Sequence, residues 1–118
     1  MKAQAVERVL ARLRQVFATL PEIAEGVDGH GHTTFKVGTK TLAMLGEHDG
    51  FASLSMKSDR STQAELIKRK DFWVTPYVGQ HGWVSTGGTV KDIDWDVVQM
   101  IVTATFRRVA PKRLVAKK

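Results

Sequence analysis

The sequence predicts an α+β fold: a two-layer domain with one antiparallel sheet and helices mainly on one face, in the order α, three or four β, α, two β, α. Three observations predict it. Apolar residues recur at helical spacing near both ends of the 118-residue chain. Between them lie short apolar runs joined by Gly-containing turns, too short for the crossover that parallel strands need. Length and a 42% hydrophobic content suit one domain over residues 1–118 with a continuous core.

Taken in order, residues 3–19 read as an amphipathic helix. Val6, Val9, Leu10, Leu13, Phe17 and Leu20 form its apolar stripe, with Arg8, Arg12 and Gln15 opposite. Pro21 stops the pattern, and one further turn is expected over residues 21–25. The Gly-rich residues 27–32 are expected to form a weak first strand. Residues 33–37 and 41–45 flank Gly38-Thr39-Lys40 as a hairpin, and Asp49-Gly50 marks the next turn. Residues 51–57 alternate imperfectly, since Phe51 and Leu54 fall on opposite faces. Thr62 and Glu65 fit a capping box for a short helix to about Arg69, with Ala64, Ile67 and Leu66 inward. Asp94 is expected to cap a long helix over residues 95–109, with Ile93 and Val98 at the staple positions. Asp96 and Arg107-Arg108 complement its dipole, and Pro111 ends it before a frayed basic tail.

The stretch Phe72-Trp73-Val74-Thr75-Pro76-Tyr77-Val78-Gly79-Gln80-His81-Gly82-Trp83-Val84 holds two of the three Trp and the only Tyr. Pro76 biases Thr75 toward an extended conformation. The expected course is an extended entry, a sharp bend from Tyr77 to Gly79, and a short strand leaving through Gly87-Gly88. Aromatic side chains bury large areas, so Trp73, Tyr77 and Trp83 are expected in the core, with His81 a candidate partner for their polar atoms. This stretch, with HTTFKVGTKTLA before it and DWDVVQMIVTATFRRVAPKRL after it, resembles the MmcQ/YjbR family of small bacterial proteins over roughly Leu20 to Leu114. The resemblance implies a DNA-binding label and a fold compared with secretion chaperones and, more loosely, with frataxin-like proteins.

Charge locates a candidate site. Residues 1–106 contain 12 Lys/Arg and 12 Asp/Glu, so the net +6 resides in Arg107, Arg108, Lys112, Arg113, Lys117 and Lys118. A neutral body with a basic end suggests a local polyanion site. Arg8 and Arg12 on the first helix are expected to support it if the two terminal helices lie side by side, and Lys40 at a hairpin tip could reach a phosphate. If about six charges engage duplex DNA, affinity falls roughly a thousandfold between about 50 and 200 mM salt. No recognition helix or zinc-finger spacing accompanies these cations, so base readout is not expected.

Other chemistries are weighed on the same residues. His30, His32 and His81 could imitate a three-His metal site, but no fixed carboxylate spacing joins them, and neither metal nor cofactor is expected. A basic first helix argues against the acidic surface that frataxin-style iron binding requires. No nucleophile, base and orienting group stand at recognisable spacing, so the chain is not expected to be an enzyme. Absence of Cys fits a reducing compartment, and neither a signal peptide nor a membrane span is visible, which makes the cytoplasm the expected location. Two alternatives to DNA binding stay open. One is a protein-interaction module using a sheet face or groove near Trp73 and Tyr77. The other is a small-molecule site between His32 and the bend running from Pro76 to Trp83.

Overall fold

The computed structural model describes residues 3–115. Its elements are α1 (Gln4–Phe17), β1 (Ile23–Val27), β2 (Thr33–Val37), β3 (Lys40–His48), β4 (Phe51–Met56), α2 (Arg60–Leu66), β5 (Trp73–Val74), β6 (Val84–Gly88), α3 (Trp95–Val109) and α4 (Lys112–Val115). The strands form one antiparallel sheet in the order β1-β2-β3-β4-β6-β5. Helices α1 and α3 lie against one face of it, α1 across β3 and β4 and α3 across β3. This is the expected two-layer α+β architecture.

Alternation in the strands divides the two faces. Leu54 pairs with Leu45 and Thr86, and Met56 with Ala43 and Val84; both central residues and all their partners are buried beneath the helices. Val6, Val9, Leu13 and Val16 of α1 and Val98, Ile101, Val102 and Phe106 of α3 complete this core. The Phe17 ring stacks on Phe35 at 4.4 Å, tying α1 to β2. The intervening outward residues include Met44, Gly46, Phe51, Ser53, Ser55 and Gly87, on the face that no helix among the described residues covers. The alternation of β4 is thus regular. Ala52, Leu54 and Met56 point in, and Phe51 belongs to the other set.

Two elements form where the sequence pattern places them. Asp94 caps α3, accepting the Val97 N–H at 3.3 Å, and Ile93 and Val98 are both buried at the staple positions. The β3–β4 hairpin turns through Asp49 (φ 51°) and Gly50 (φ 85°), the two left-handed residues that a tight primed turn requires.

Several expectations need correction. The first strand is Ile23–Val27, not residues 27–32. Residues 28–32 form a loop because the Asp28 carboxylate accepts the N–H groups of His30 (2.8 Å) and His32 (2.9 Å), replacing ladder bonds with a local turn. No helical turn spans residues 21–25, since Glu22 adopts a left-handed φ of 57° and the chain enters β1 at once. Helix α2 is capped by Asp59, which accepts the Thr62 N–H at 2.7 Å, rather than by Thr62. That shift turns Gln63 and Leu66 inward and leaves Ala64 and Ile67 exposed. The chain after Pro111 is not frayed through residue 115. It forms α4, whose Leu114 and Val115 pack against the core.

Of the three aromatics expected inside, only Trp83 is buried. Trp73 is 44% exposed and Tyr77 is 97% exposed. β5 is a two-residue edge strand in which Trp73 pairs with Ser85, on the face where no second layer among the described residues buries it.

Candidate functional site

The helix-free face carries a groove of about 750 Å3. Its floor is built from outward residues of three adjacent strands: Met44 and Gly46 of β3, Ser53 and Ser55 of β4, and Gly87 of β6. Small residues dominate that floor, which is why the sheet surface is concave there. His32 stands on one side, Trp73 and Pro76 on the other, with Phe51 and the β3–β4 hairpin at one end.

Each wall has a local cause. His32 is held by Asp28, whose carboxylate takes the His32 main-chain N–H and faces the ring Nδ1 at 3.3 Å. The ring then lies over Gly46: a Cβ there would stand 2.7 Å from His32 Cδ2 and 3.1 Å from Nε2. Gly46 is therefore what lets the imidazole edge approach the sheet so closely. The His32 main-chain N–H, helped by that of His30 and by the ring, holds the Asp28 carboxyl below its ordinary range.

The opposite wall hangs on α2. Gln63 is buried and donates from Nε2 to the carbonyls of Gly79 and Trp83, both at 2.8 Å. These bonds fix a 3-10 turn over Gly79–His81 and so hold the bend that begins at Pro76. Tyr77 sits at the tip of that bend with φ 71°, a region that a non-glycine residue enters only under constraint. Below it, Ser85 Oγ meets Ser55 Oγ at 2.9 Å and Thr75 Oγ1 at 2.8 Å, a hydroxyl chain joining β4, β6 and the bend. Gln63→Leu is expected to destabilise the fold by about 1–3 kcal/mol, because two buried carbonyls lose their donor. Chemical denaturation measures the loss, and hydrogen exchange should show it concentrated in residues 75–83.

The cations expected to gather at the C-terminal end are in part engaged within the protein. Arg113 makes a bidentate pair with Glu22, both contacts at 2.7 Å. Arg108 donates to the Ser58 carbonyl at 3.0 Å and stands 3.8 Å from Asp59. Arg12 lies over the Trp95 ring, 5.1 Å from its centroid. Arg107, Lys112, Arg8 and Lys40 have no acidic partner among the described residues. Arg107 borders a recess with Leu20, Pro21 and Leu114, whereas Arg8 lies beside Val90 and Lys91, so the terminal helices do not present these two together. Lys117 and Lys118 lie outside the described residues.

Among the described residues no three His, Asp or Glu side chains converge as a metal site. The His30 and His32 ring centroids are 6.4 Å apart, while His81 sits in the 3-10 turn beside Gln80. No helix among them is long and apolar enough to cross a membrane.

The carboxylates predict how stability responds to acid. Asp59 and Asp94 are held below their ordinary pKa, Asp59 first by the Thr62 main-chain N–H and Asp94 first by the Arg69 guanidinium. Glu22, held down by Arg113, and Asp28 and Asp92 shift the same way. Depressed folded-state values mean stability that is present above the ordinary carboxyl range and lost as pH falls through the folded ones. Melting temperature is therefore expected to be nearly flat from neutral to about pH 5 and to fall below about pH 4. Thermal melts across that range measure it.

Fold and groove together define a small two-layer α+β protein with a ligand-sized recess on its open sheet face. The chain belongs to the YjbR family, whose model matches residues 18–108. Its fold is similar to the crystal structure of Deinococcus radiodurans protein DR2400, which has a DUF419 domain: TM-score 0.72 at 20% identity, covering 90% of this chain and 81% of that one. No curated protein matches the chain.

Residue reading places a small-molecule site between His32 and the bend from Pro76 to Trp83, and a protein-interaction surface near Trp73 and Tyr77; His32, Pro76 and Trp73 line the groove, whereas Tyr77 and Trp83 do not. It misses Met44, Gly46, Phe51, Ser53 and Gly87. The available signal is the polar, small-residue half of the β3 and β4 alternation, with Phe51 as its one large aromatic member.

Proposed function

We propose that this chain is a non-catalytic binding protein whose compact ligand seats in the helix-free groove. The observation that carries the reading is the groove itself, which joins His32, Trp73 and Pro76 around a floor of small residues. Its volume of about 750 Å3 falls in the usual range for small-molecule sites, roughly 300–1,000 Å3. Exposed Trp73 and Phe51 would be costly to leave wet without a partner, and they supply the flat apolar contact. A fixed His32 ring and the hydroxyls of Ser53 and Ser55 supply orientation. Binding without turnover is favoured because the Ser55 and Ser85 hydroxyls bond to each other rather than to a base.

A mixed fragment library followed by amide NMR tests this. Shifts clustered at His32, Gly46, Ser53, Trp73 and Gly87 are expected. Hits that bind but leave those amides unmoved would end the reading.

Weak DNA binding is the second reading. The observation favouring it is that Arg107, Lys112, Arg8 and Lys40 are exposed and lack acidic partners among the described residues. Such binding would use phosphates only, through these residues with Arg108, Arg113 and Arg12 drawn from their internal contacts. A duplex titration against salt decides it. Replacing Arg107 and Lys112 by Ala should lower the salt slope by about 2, one for each lost phosphate contact. An unchanged slope, or no binding at low salt, would remove it.

A further inference from the structure

His32 gives the groove a hydrogen-bonding polarity of fixed sense. Its Nδ1 stands 3.3 Å from Asp28 Oδ2, while Asp28 Oδ1 accepts the main-chain N–H groups of His30 and His32. Those bonds hold the Asp28 carboxyl below its ordinary range, so it is ionised at neutral pH and has no proton to give. A neutral imidazole in this contact carries its proton on Nδ1, which leaves Nε2 as a bare acceptor. Nε2 lies on the ring edge turned to Gly46 at the groove floor, and it has no partner among the described residues. Ser53 sits directly across the ladder from Gly46 and beside Gly87, and its hydroxyl has no partner among the described residues either.

We propose that the groove selects an uncharged planar aromatic ligand that presents an N–H or O–H donor to His32 Nε2, and that Asp28 sets this preference by keeping the imidazole proton on Nδ1. This rests on the groove being the ligand site. His32 is then the specificity-determining residue and Asp28 a positioning residue that acts through it. No charged side chain stands on the floor. None of the lining residues is Lys or Arg. Glu47 pairs with buried Ala52 on the helix-covered face, where it accepts the Ala3 N–H at 3.2 Å. Asp49 stands in the exposed turn, 3.5 Å from the His48 ring. A charged ligand would shed water there with no countercharge to replace it, which favours a neutral one. The row Gly46–Ser53–Gly87 crosses three strands, about 10 Å at ~4.8 Å per interstrand gap, room for a two-ring planar body. Trp73 and Phe51, both partly exposed, supply aromatic contact at the wall and the hairpin end.

Two measurements on the full chain decide the matter. The first needs no ligand. Imidazole nitrogen chemical shifts at about pH 8, above the ordinary imidazole pKa of ~6.5, are expected to show His32 protonated on Nδ1. Asp28→Asn keeps a side-chain oxygen for the N–H groups of His30 and His32 but turns an amide NH2 toward Nδ1, so the ring proton should move to Nε2. A proton on Nε2 in the unaltered chain would overturn the proposal and leave the groove as the site. The second measurement compares indole with benzofuran, in which oxygen replaces the ring N–H, by amide NMR titration. Indole is expected to bind about threefold to tenfold more tightly. Asp28→Asn and His32→Phe should each remove that advantage while the melting temperature stays near its starting value. Equal affinities in the unaltered chain, or an advantage that survives in either variant, would overturn the donor assignment. Indole-3-acetate or tryptamine binding more tightly than indole would overturn the uncharged class. So would failure of all these probes while other library hits shift the groove amides. Groove amides unmoved by any hit would end the groove reading itself.

Discussion

Phe35→Ala is expected to lower the unfolding free energy by about 3–5 kcal/mol, the range for deleting a large aromatic from a packed core. Phe35 is only 2% exposed, lies in the second strand of the sheet, and stacks on Phe17 at an interplanar angle of 4°. Removing it opens a void between α1 and the sheet and strands the Phe17 ring, whose stacking adds about 0.5–1.5 kcal/mol beyond burial. Total stability for a domain of this size is typically ~5–15 kcal/mol, so the variant should be folded but marginal. Urea denaturation measures this directly. A loss under about 1 kcal/mol would mean that α1 does not pack on β2 as described.

The second large effect is on binding. Gly46→Val places a branched side chain where even a Cβ would stand 2.7 Å from the His32 ring. Strands favour β-branched residues, and the His32 ring can swing toward solvent, so the fold should hold. The groove wall, however, moves. Affinity for a groove ligand is expected to fall by about tenfold or more, ~1.4 kcal/mol for each factor of ten. Paired measurements separate the two effects: a denaturation midpoint that barely changes, and a titration that weakens. Undiminished affinity would show that His32 is not part of the recognition surface.

How much of the fold is legible in the sequence differs by element. Helix α3 can be read to its cap because Asp94, the staple pair and the apolar stripe all agree, and local signals suffice. Helix α2 is legible as a helix but not in its cap, because Asp59 and Thr62 compete for one role and the winner depends on where the strand before it ends. β1 is hard to place because an edge strand with one partner shows no alternation. The informative residue is Asp28, whose side chain turns the chain back on itself.

The site is legible only in part. His32 and Pro76 can be named as neighbours of a pocket, but the pocket exists because one sheet face lacks helices, a tertiary fact. The same fact explains Trp73, whose aromatic character points to the core although its register places it outside. Charge counting locates the surplus cations but not their partners. Glu22 and Arg113 are 91 residues apart in the chain and bidentate in the fold.

The central claim is that recognition occurs on the helix-free face. Amide NMR on the full chain, titrated in parallel with a hit from the fragment library and with a short DNA duplex, tests it most directly. Shifts at His32, Gly46, Ser53, Trp73 and Gly87 with the fragment, abolished by Gly46→Val, are the predicted result. Shifts confined to Arg107, Lys112 and their neighbours with the duplex, and none in the groove with the fragment, would contradict it.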